Sequence, residues 1–279
     1  MRVPAPGELA RELYRRGRRT GGSREERSFR TAMRADPAAP GLVLSPHLDD
    51  AILSCWSVVA SARAVNVVNV FAGSPSPGRL TVWDAITGAE DSAARVRERI
   101  AEDRDALARA ARTPANLTLL DAQYRRPPAP GLAELDAAVT AVVDSASRVY
   151  VTSGVGAHPD HLLVRRYGRM LLRRGIPVTV YLEHPYCVRH GWPPWVDGGA
   201  PEPNRDVDAY WRSFLDEVPE MPPLRSGHVE RLEDGVAAAK LEAMLCYRTQ
   251  MPALDYAARG VLSDPGIHRY EVSWELRAV

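Results

Sequence analysis

Two histidine–aspartate clusters carry the chemistry that this sequence can do. The run Leu42-Val43-Leu44-Ser45-Pro46-His47-Leu48-Asp49-Asp50 is an apolar, strand-like segment that stops at a proline, one imidazole and two adjacent carboxylates. A second cluster, His158-Pro159-Asp160-His161, follows the run Arg148-Val149-Tyr150-Val151-Thr152-Ser153. Imidazole nitrogens and carboxylate oxygens are the donors of a catalytic zinc, which takes three from the protein and keeps a further position open. From the first turn His47 and Asp50 can face one point, while Asp49 stays free to handle a proton. Each cluster also has a plainer reading. An aspartate at such a turn caps the helix that follows, and His158 and His161 would then be surface imidazoles beside a loop proline. Both clusters together, each at a strand end, predict a metal site.

The elements that must position these groups follow from the hydrophobic pattern. Short, Val-rich runs at 41–45, 65–71, 117–120, 148–153 and 177–182 predict strands of a parallel sheet buried on both faces. Helices are predicted at 50–62, 90–112, 131–146 and 161–173. This alternation implies right-handed crossovers and an α/β fold, a three-layer α/β/α sandwich around a mostly parallel, Rossmann-like sheet. Ligands of such sheets bind beyond the carboxyl ends of the strands, where both clusters stand. The loop at 73–88 follows a strand and is expected to border the same cleft. Residues 184–228, rich in proline and aromatics, are expected to form a long ordered excursion over the cleft within a domain spanning 39–279. Residues 1–38 read as an N-terminal helical extension, with one helix at 6–18 and a second capped by Ser23 with Glu26 three residues on. Glutamates interleave with its arginines, as on a solvated face.

Composition narrows the class. A chain of 279 residues with 45% hydrophobic and 25% charged residues can bury a sizeable core. A formal net charge of +1 argues against a dedicated nucleic-acid binder. The three cysteines, Cys55, Cys187 and Cys246, are widely spaced, which argues against a disulfide framework or a cysteine zinc site. Cys55 reads as a small core residue. No apolar run reaches the ~18 residues of a membrane span, and the Arg-rich start lacks the apolar core of a signal peptide. A cytoplasmic protein is expected.

These motifs resemble the LmbE/PIG-L family of zinc-dependent deacetylases, whose first motif reads [PA]-H-P-D-D-E and whose second reads H-P-D-H or H-x-x-H. Pro46-His47-Leu48-Asp49-Asp50 and His158-Pro159-Asp160-His161 match in order and spacing. Supporting segments are Arg99-x-x-Glu102 with Asp103 and Ala106, the strand-like Tyr181-Leu182-Glu183-His184-Pro185-Tyr186, and Lys240-x-x-Ala243 with Tyr247-x-Thr249-Gln250. The resemblance covers about residues 40 to 252. It implies that His47, Asp50 and His161 ligate zinc and that Asp49 is the general base. His158 would stabilise the oxyanion or protonate the leaving amine, with Asp160 holding its tautomer and favouring its charged form. The substrate would be a small N-acylated molecule, commonly an N-acetylated amino sugar, cleaved to a free amine and a short carboxylate. Fe(II) suits a two-His, one-carboxylate face as well as zinc.

Two positions depart from the family pattern: Leu48 replaces its second proline, and Ala51 replaces the glutamate after the aspartate pair. Leu48 costs only local stiffness, whereas Ala51 leaves the substrate class open. Further candidates for substrate binding are Asp84 in the 73–88 loop, Arg99, Asp121, Arg125 and His184. Tyr124 lies in the same loop as Asp121 and Arg125. A surface ion pair between Arg99 and Glu102 is the plain alternative, as is a strand-end cap for His184. Lys240 and Tyr247 are expected mainly to pack. Trp192-Pro193-Pro194-Trp195 and Tyr210-Trp211 would suit either an apolar pocket face or stacking on a sugar ring. Three functions stay open: a zinc hydrolase of an N-acyl amino sugar or glycoconjugate, one acting on another amide such as a thiol conjugate or natural-product intermediate, and a silent relative that only binds. Retention of Asp49 counts against the last.

Overall fold

In the computed structural model, which describes residues 39–278, alternate residues of each central strand enter opposite cores. The predicted helices within 1–38 lie outside the described residues. The strands are β1 (Gly41–Ser45), β2 (Val65–Asn69), β3 (Ala115–Asn116), β4 (Arg148–Thr152), β5 (Val178–Tyr181), β6 (His228–Arg231) and β7 (Tyr270–Glu275). The helices are α1 (Asp50–Ser54), α2 (Trp56–Val59), α3 (Val82–Ile86), α4 (Ser92–Ala108), α5 (Leu132–Val143), α6 (Pro159–Arg173), α7 (Pro194–Asp197), α8 (Val207–Leu215), α9 (Asp234–Met244) and α10 (Met251–Ala257). Leu42, Leu44, Val149, Val151, Val178 and Val180 pack with Leu135 and Val139 of α5 and Leu163, Val164 and Leu171 of α6. On the other face Val43, Val67 and Tyr181 pack with Ile52, Leu53, Trp56 and α9. This period of two, apolar on both sides, is what a sheet sandwiched between helices demands.

The sheet order among the described residues is β3-β2-β1-β4-β5-β7-β6. β3, β2, β1, β4 and β5 are parallel, and β7 pairs antiparallel with both β5 and β6. The chain builds outward from β1 through β2 to β3, then returns to place β4 on β1's other side. The order reverses between β1 and β4, and beyond such a reversal the loops diverge and leave a crevice. The two histidine clusters follow β1 and β4. Helix α6 lies close enough to β4 that a Cβ on Gly168 would come 2.8 Å from Val151 Cγ2.

Several elements differ from the sequence reading. The helix expected over 50–62 breaks at Cys55, because the Glu271 carboxylate from β7 accepts the Trp56 and Ser57 N–H groups (2.8 and 2.9 Å) and starts α2 afresh. Glu271 also accepts from Lys240 Nζ (2.7 Å), the single lysine of the chain, which is fully buried. The strand expected at 117–120 is shorter and earlier: β3 holds Ala115–Asn116, and only single bridges tie Thr118 and Leu120 to the chain after β2. The antiparallel pair β6 and β7 was not anticipated, being short and mixed in polarity. Residues 184–228 form a third core with β7, in which Trp192, Trp211 and Trp274 pack edge to face. Those tryptophans hold the excursion together: Trp211 is fully buried, whereas Trp192 and Trp195 also line a surface cavity. Two surface cavities of about 620 and 380 Å³ flank this segment, and neither is lined by a residue of the histidine clusters.

Candidate active site

Three donor atoms meet where the ends of β1 and β4 converge. His47 Nδ1 lies 3.4 Å from Asp50 Oδ2, His161 Nε2 lies 3.3 Å from the same oxygen, and the two nitrogens are 3.2 Å apart. Ligands bonded at about 2.0–2.1 Å to a tetrahedral ion stand about 3.3–3.4 Å from one another, so the triangle has the size of one face of a zinc site. Asp50 is fixed for this task, since its Oδ2 also accepts the His47 backbone N–H (2.9 Å). His158 brings one nitrogen within 4.8 Å of the same two imidazoles. We take the His47–Asp50–His161 triangle as the donor set because its edges match the tetrahedral spacing. The donors fit zinc or ferrous iron.

The far nitrogens of both histidines meet carboxylates. His47 Nε2 is 3.1 Å from Asp160 Oδ2, and His161 Nδ1 is 3.3 Å from Glu183 Oε1. A carboxylate accepts and cannot donate, so the far N–H of each imidazole donates outward, which would leave the inner nitrogen as the ligand atom once a metal displaces its proton. This carboxylate–histidine arrangement orients and strengthens metal ligands. Glu183 is fully buried and further held by the Ser153 backbone N–H (3.0 Å). The pocket is strongly negative. Burial opposes a charge on His161, but Asp50 and Glu183 outweigh it and raise the imidazole to about 9. His47 is likewise raised despite burial, by Asp121, Asp160 and Asp50. Such a field suits a cation.

Asp49 begins α1 yet makes no capping bond, so the plain helix-cap reading does not hold for it. Its Oδ2 stands 3.6 Å from Arg99 Nη2, and burial pushes its carboxyl above the ordinary range against the pull of Arg99. Arg99 also lies 3.8 Å from Asp121 Oδ2, which is itself 3.8 Å from His47 Nε2. Arg99 and Glu102 therefore form no surface pair. Both are buried, and Glu102 instead accepts from the Thr249 backbone and hydroxyl. His158 is half-buried at the start of α6, and its Nδ1 accepts the Asp160 backbone N–H (3.3 Å). Burial and the charges of His47 and His161 push His158 down to about 4.

Three expectations need correction. The Asp160 side chain serves His47, the Ala122 N–H (2.9 Å) and the Arg125 guanidinium, and only its backbone touches His158. Nor does it keep His158 charged, because burial and the neighbouring imidazoles outweigh its attraction. Asp84 is fully buried, taken by the Tyr124 hydroxyl (2.9 Å) and Thr81, and cannot reach a substrate. His184 is 1% exposed and packs edge-on against Trp192 and beside His268, away from the donor triangle. Asp121 and Arg99 stand beside His47 and Asp49, whereas Arg125 pairs with Asp160. Glu183 and Tyr186 were not assigned to the site. Tyr186 stands edge-on to His161, with centroids 5.3 Å apart, and fills the space of the Cβ that Gly156 (φ +92°) lacks. The Glu-x-Pro-Tyr resemblance was the available signal for both.

Known proteins resemble the chain in sequence and in fold. Residues 42–172 match the family PIG-L: GlcNAc-PI de-N-acetylase. The chain is 26% identical to 2'-N-acetylparomamine deacetylase from Niallia circulans, across 53% of this chain and 68% of that protein. Its fold is similar to a triple-mutant deacetylase of the teicoplanin biosynthetic pathway (TM-score 0.66, 24% identity, 85% of this chain and 98% of that one). It is also similar to the A40926 pseudoaglycone deacetylase (TM-score 0.64, 24% identity, 87% and 99%). A third similar fold is the zinc-inhibited form of teicoplanin deacetylase (TM-score 0.63, 21% identity, 85% and 98%). Residues 42–172, which bring both histidine motifs to the reversal of the sheet, are similar to the PIG-L family, and the relatives mark the chain as an amide hydrolase of the deacetylase type.

Proposed function

We propose that this protein is a metal-dependent deacetylase that removes an N-acyl group, acetyl in the simplest case, from an amino sugar or a sugar-bearing natural-product intermediate. The observation that carries the reading is the triangle of His47, Asp50 and His161 with an uncapped carboxylate, Asp49, beside it. His47 Nδ1, Asp50 Oδ2 and His161 Nε2 would hold zinc or ferrous iron. When bound, that ion supplies Lewis acidity toward the carbonyl and acidifies water.

The chain's own groups manage the protons. Asp49, raised by burial and in reach of the cleft, takes a proton from water as the water oxygen bonds to the acyl carbon. His158 accepts at Nδ1 from the Asp160 backbone, so its proton sits on Nε2, where it can donate to the oxyanion. The C–N bond then breaks, and the proton held by Asp49 passes to the departing nitrogen, leaving a free amine and a carboxylic acid that ionises by giving its proton to solvent. Arg99, between Asp49 and Asp121, offsets the repulsion between these carboxylates and offers a cation beside them. The similarity to 2'-N-acetylparomamine deacetylase and to the fold of the A40926 pseudoaglycone deacetylase supports a sugar-like amine partner. Among the described residues no helix is long and apolar enough to cross a membrane.

The test is metal content per chain after purification without added metal, paired with amine release from a panel of N-acyl amino sugars and glycoconjugates. About one zinc or iron per chain is expected. Asp50→Ala should lose metal and activity together. Asp49→Ala should keep the metal and lose about 10²–10⁴ in turnover, the span typical of a general base. Absence of metal in the wild type, with none taken up on adding zinc or iron, would overturn the proposal.

A further inference from the structure

We propose that Arg125 is a positioning residue for the metal centre, setting its affinity for zinc through Asp160 and His47. The inference rests on the reading of His47 as a metal ligand and goes beyond it. Four side chains close a ring. Arg125 Nη2 lies 2.5 Å from Asp160 Oδ1, and Asp160 Oδ2 is 3.1 Å from His47 Nε2. The His47 ring stands 6.3 Å from that of Phe71, and the Arg125 guanidinium lies over the same Phe71 ring at 5.1 Å. Arg125 Nη1 is spent on the Leu120 carbonyl (2.7 Å). Its planar cation is therefore committed to a carbonyl, a carboxylate and an aromatic face, with a side chain only 12% exposed.

The Arg125–Asp160 contact is an ion pair without an aligned N–H bond, since Asp160 Oδ1 has no hydrogen-bond partner by geometry. Charge and the position of the guanidinium over the Phe71 ring hold it. Asp160 is fully buried, and besides His47 and Arg125 its carboxylate meets the Ala122 N–H. Ala122 and Arg125 belong to one loop, 121–125, that follows β3. This loop fixes the carboxylate that fixes His47, and so ties the far side of the cleft to a ligand. Without the guanidinium, Asp160 keeps one backbone donor and is free to swing, and His47 loses its fixed acceptor. Outer-shell partners of metal ligands typically govern 10–100-fold in affinity, and Arg125, one contact further out, belongs at the lower end.

The experiment is a zinc titration of the full-length apo-protein against a chromophoric chelator. Wild type, Arg125→Gln, Arg125→Lys, Asp160→Asn and the Arg125→Gln/Asp160→Asn double variant are compared, each checked for native circular dichroism. Zinc affinity should fall about 10-fold in Arg125→Gln and less in Arg125→Lys, which keeps the charge and loses the planar fork that reaches both Asp160 and the Leu120 carbonyl. The double variant should bind zinc no more weakly than Asp160→Asn alone, because the two residues act in series. Wild-type zinc affinity in Arg125→Gln, accompanied by a raised KM, would overturn the proposal and make Arg125 a substrate contact. Additive losses in the double variant would also overturn it. A wild type that binds neither zinc nor iron would sink the metal reading itself, and a normal wild type with an unaffected Arg125→Gln would sink only this one.

Discussion

Asp49 and Asp50 are chemically identical neighbours whose surroundings separate their duties. Asp50 is pinned by the His47 N–H and two imidazoles, and those contacts hold its carboxyl far below the ordinary range although burial opposes this. Asp49 has no capping bond and a raised pKa, which leaves it able to exchange a proton. Glu183 shows how far such control reaches. It touches His161 Nδ1 and the Ser153 backbone, both buried, and no solvent. Glu183→Gln should retain the fold and weaken zinc binding about 10–100-fold, because an amide is a weaker acceptor for the imidazole proton. Competitive zinc titration measures this, and unchanged affinity would deny Glu183 its orienting role. The sequence made the donors legible because their identity is written at each position. It misassigned Asp160, whose side chain turns to His47 113 residues away instead of to His158 beside it.

At the level of helices and strands, contacts distant in sequence decided what local pattern could not. The apolar run after Asp50 reads as one helix, but Glu271, 215 residues downstream of Trp56, caps a second start and splits it. Lys240 neutralises that buried carboxylate. Helix α4 turns a polar stripe inward: Arg99 meets Asp49, Glu102 meets Thr249, and Asp103 meets Asn69 (2.6 Å) and Tyr247 (2.8 Å), with burial pushing Asp103 up to about 8. One-turn spacing of opposite charges ordinarily marks a surface, so the stripe was unreadable as a cleft wall. In α6, Gly168 permits close approach to β4 directly behind the His158–His161 turn. Gly168→Ala would gain about 1 kcal/mol of helix propensity. Its Cβ would sit 2.8 Å from Val151 Cγ2 in a packed core, and such overpacking costs typically 1–3 kcal/mol. A lowered denaturant midpoint is expected. A raised midpoint would show that the sheet yields without strain.

Three cores share one sheet, and among them lies a buried polar group that takes no part in the proposed chemistry. His184 and His268 lie with ring centroids 5.6 Å apart, and Lys240 contributes positive charge to the environment of both. His268 donates to the Leu262 carbonyl (2.8 Å), while neither ring nitrogen of His184 has a partner of hydrogen-bond geometry. Burial first, then Lys240, pushes His268 down to about 4. A base whose folded pKa lies below its unfolded value of about 6.5 binds fewer protons when folded, so its contribution to stability is intact above pH 6.5 and drains away as the pH falls toward 4. Between pH 7 and pH 5 this amounts to about 2 kcal/mol for His268. Urea unfolding of wild type and His268→Gln at both pH values isolates it from the other titrating groups. The stability gap between the two proteins should shift by that amount in favour of the variant at pH 5. An unchanged gap would mean that His268 is not held neutral by its surroundings.

The chain announces its candidate donors, the strands that end in them and the family it resembles, because residue type, a period of two and a motif are all local properties. A turn after an apolar run places its own His and Asp whatever the remainder does. Which groups complete the centre is decided by the order of the sheet. Its reversal between β1 and β4 brings turns more than a hundred residues apart to one crevice, gives His47 the carboxylate of Asp160, and gives His161 that of Glu183 from the end of β5. The same packing buries Asp84 and His184 away from any substrate. Electrostatics and hydrogen bonding act over a few ångströms in space, and adjacency in space is fixed only when the whole sheet has formed.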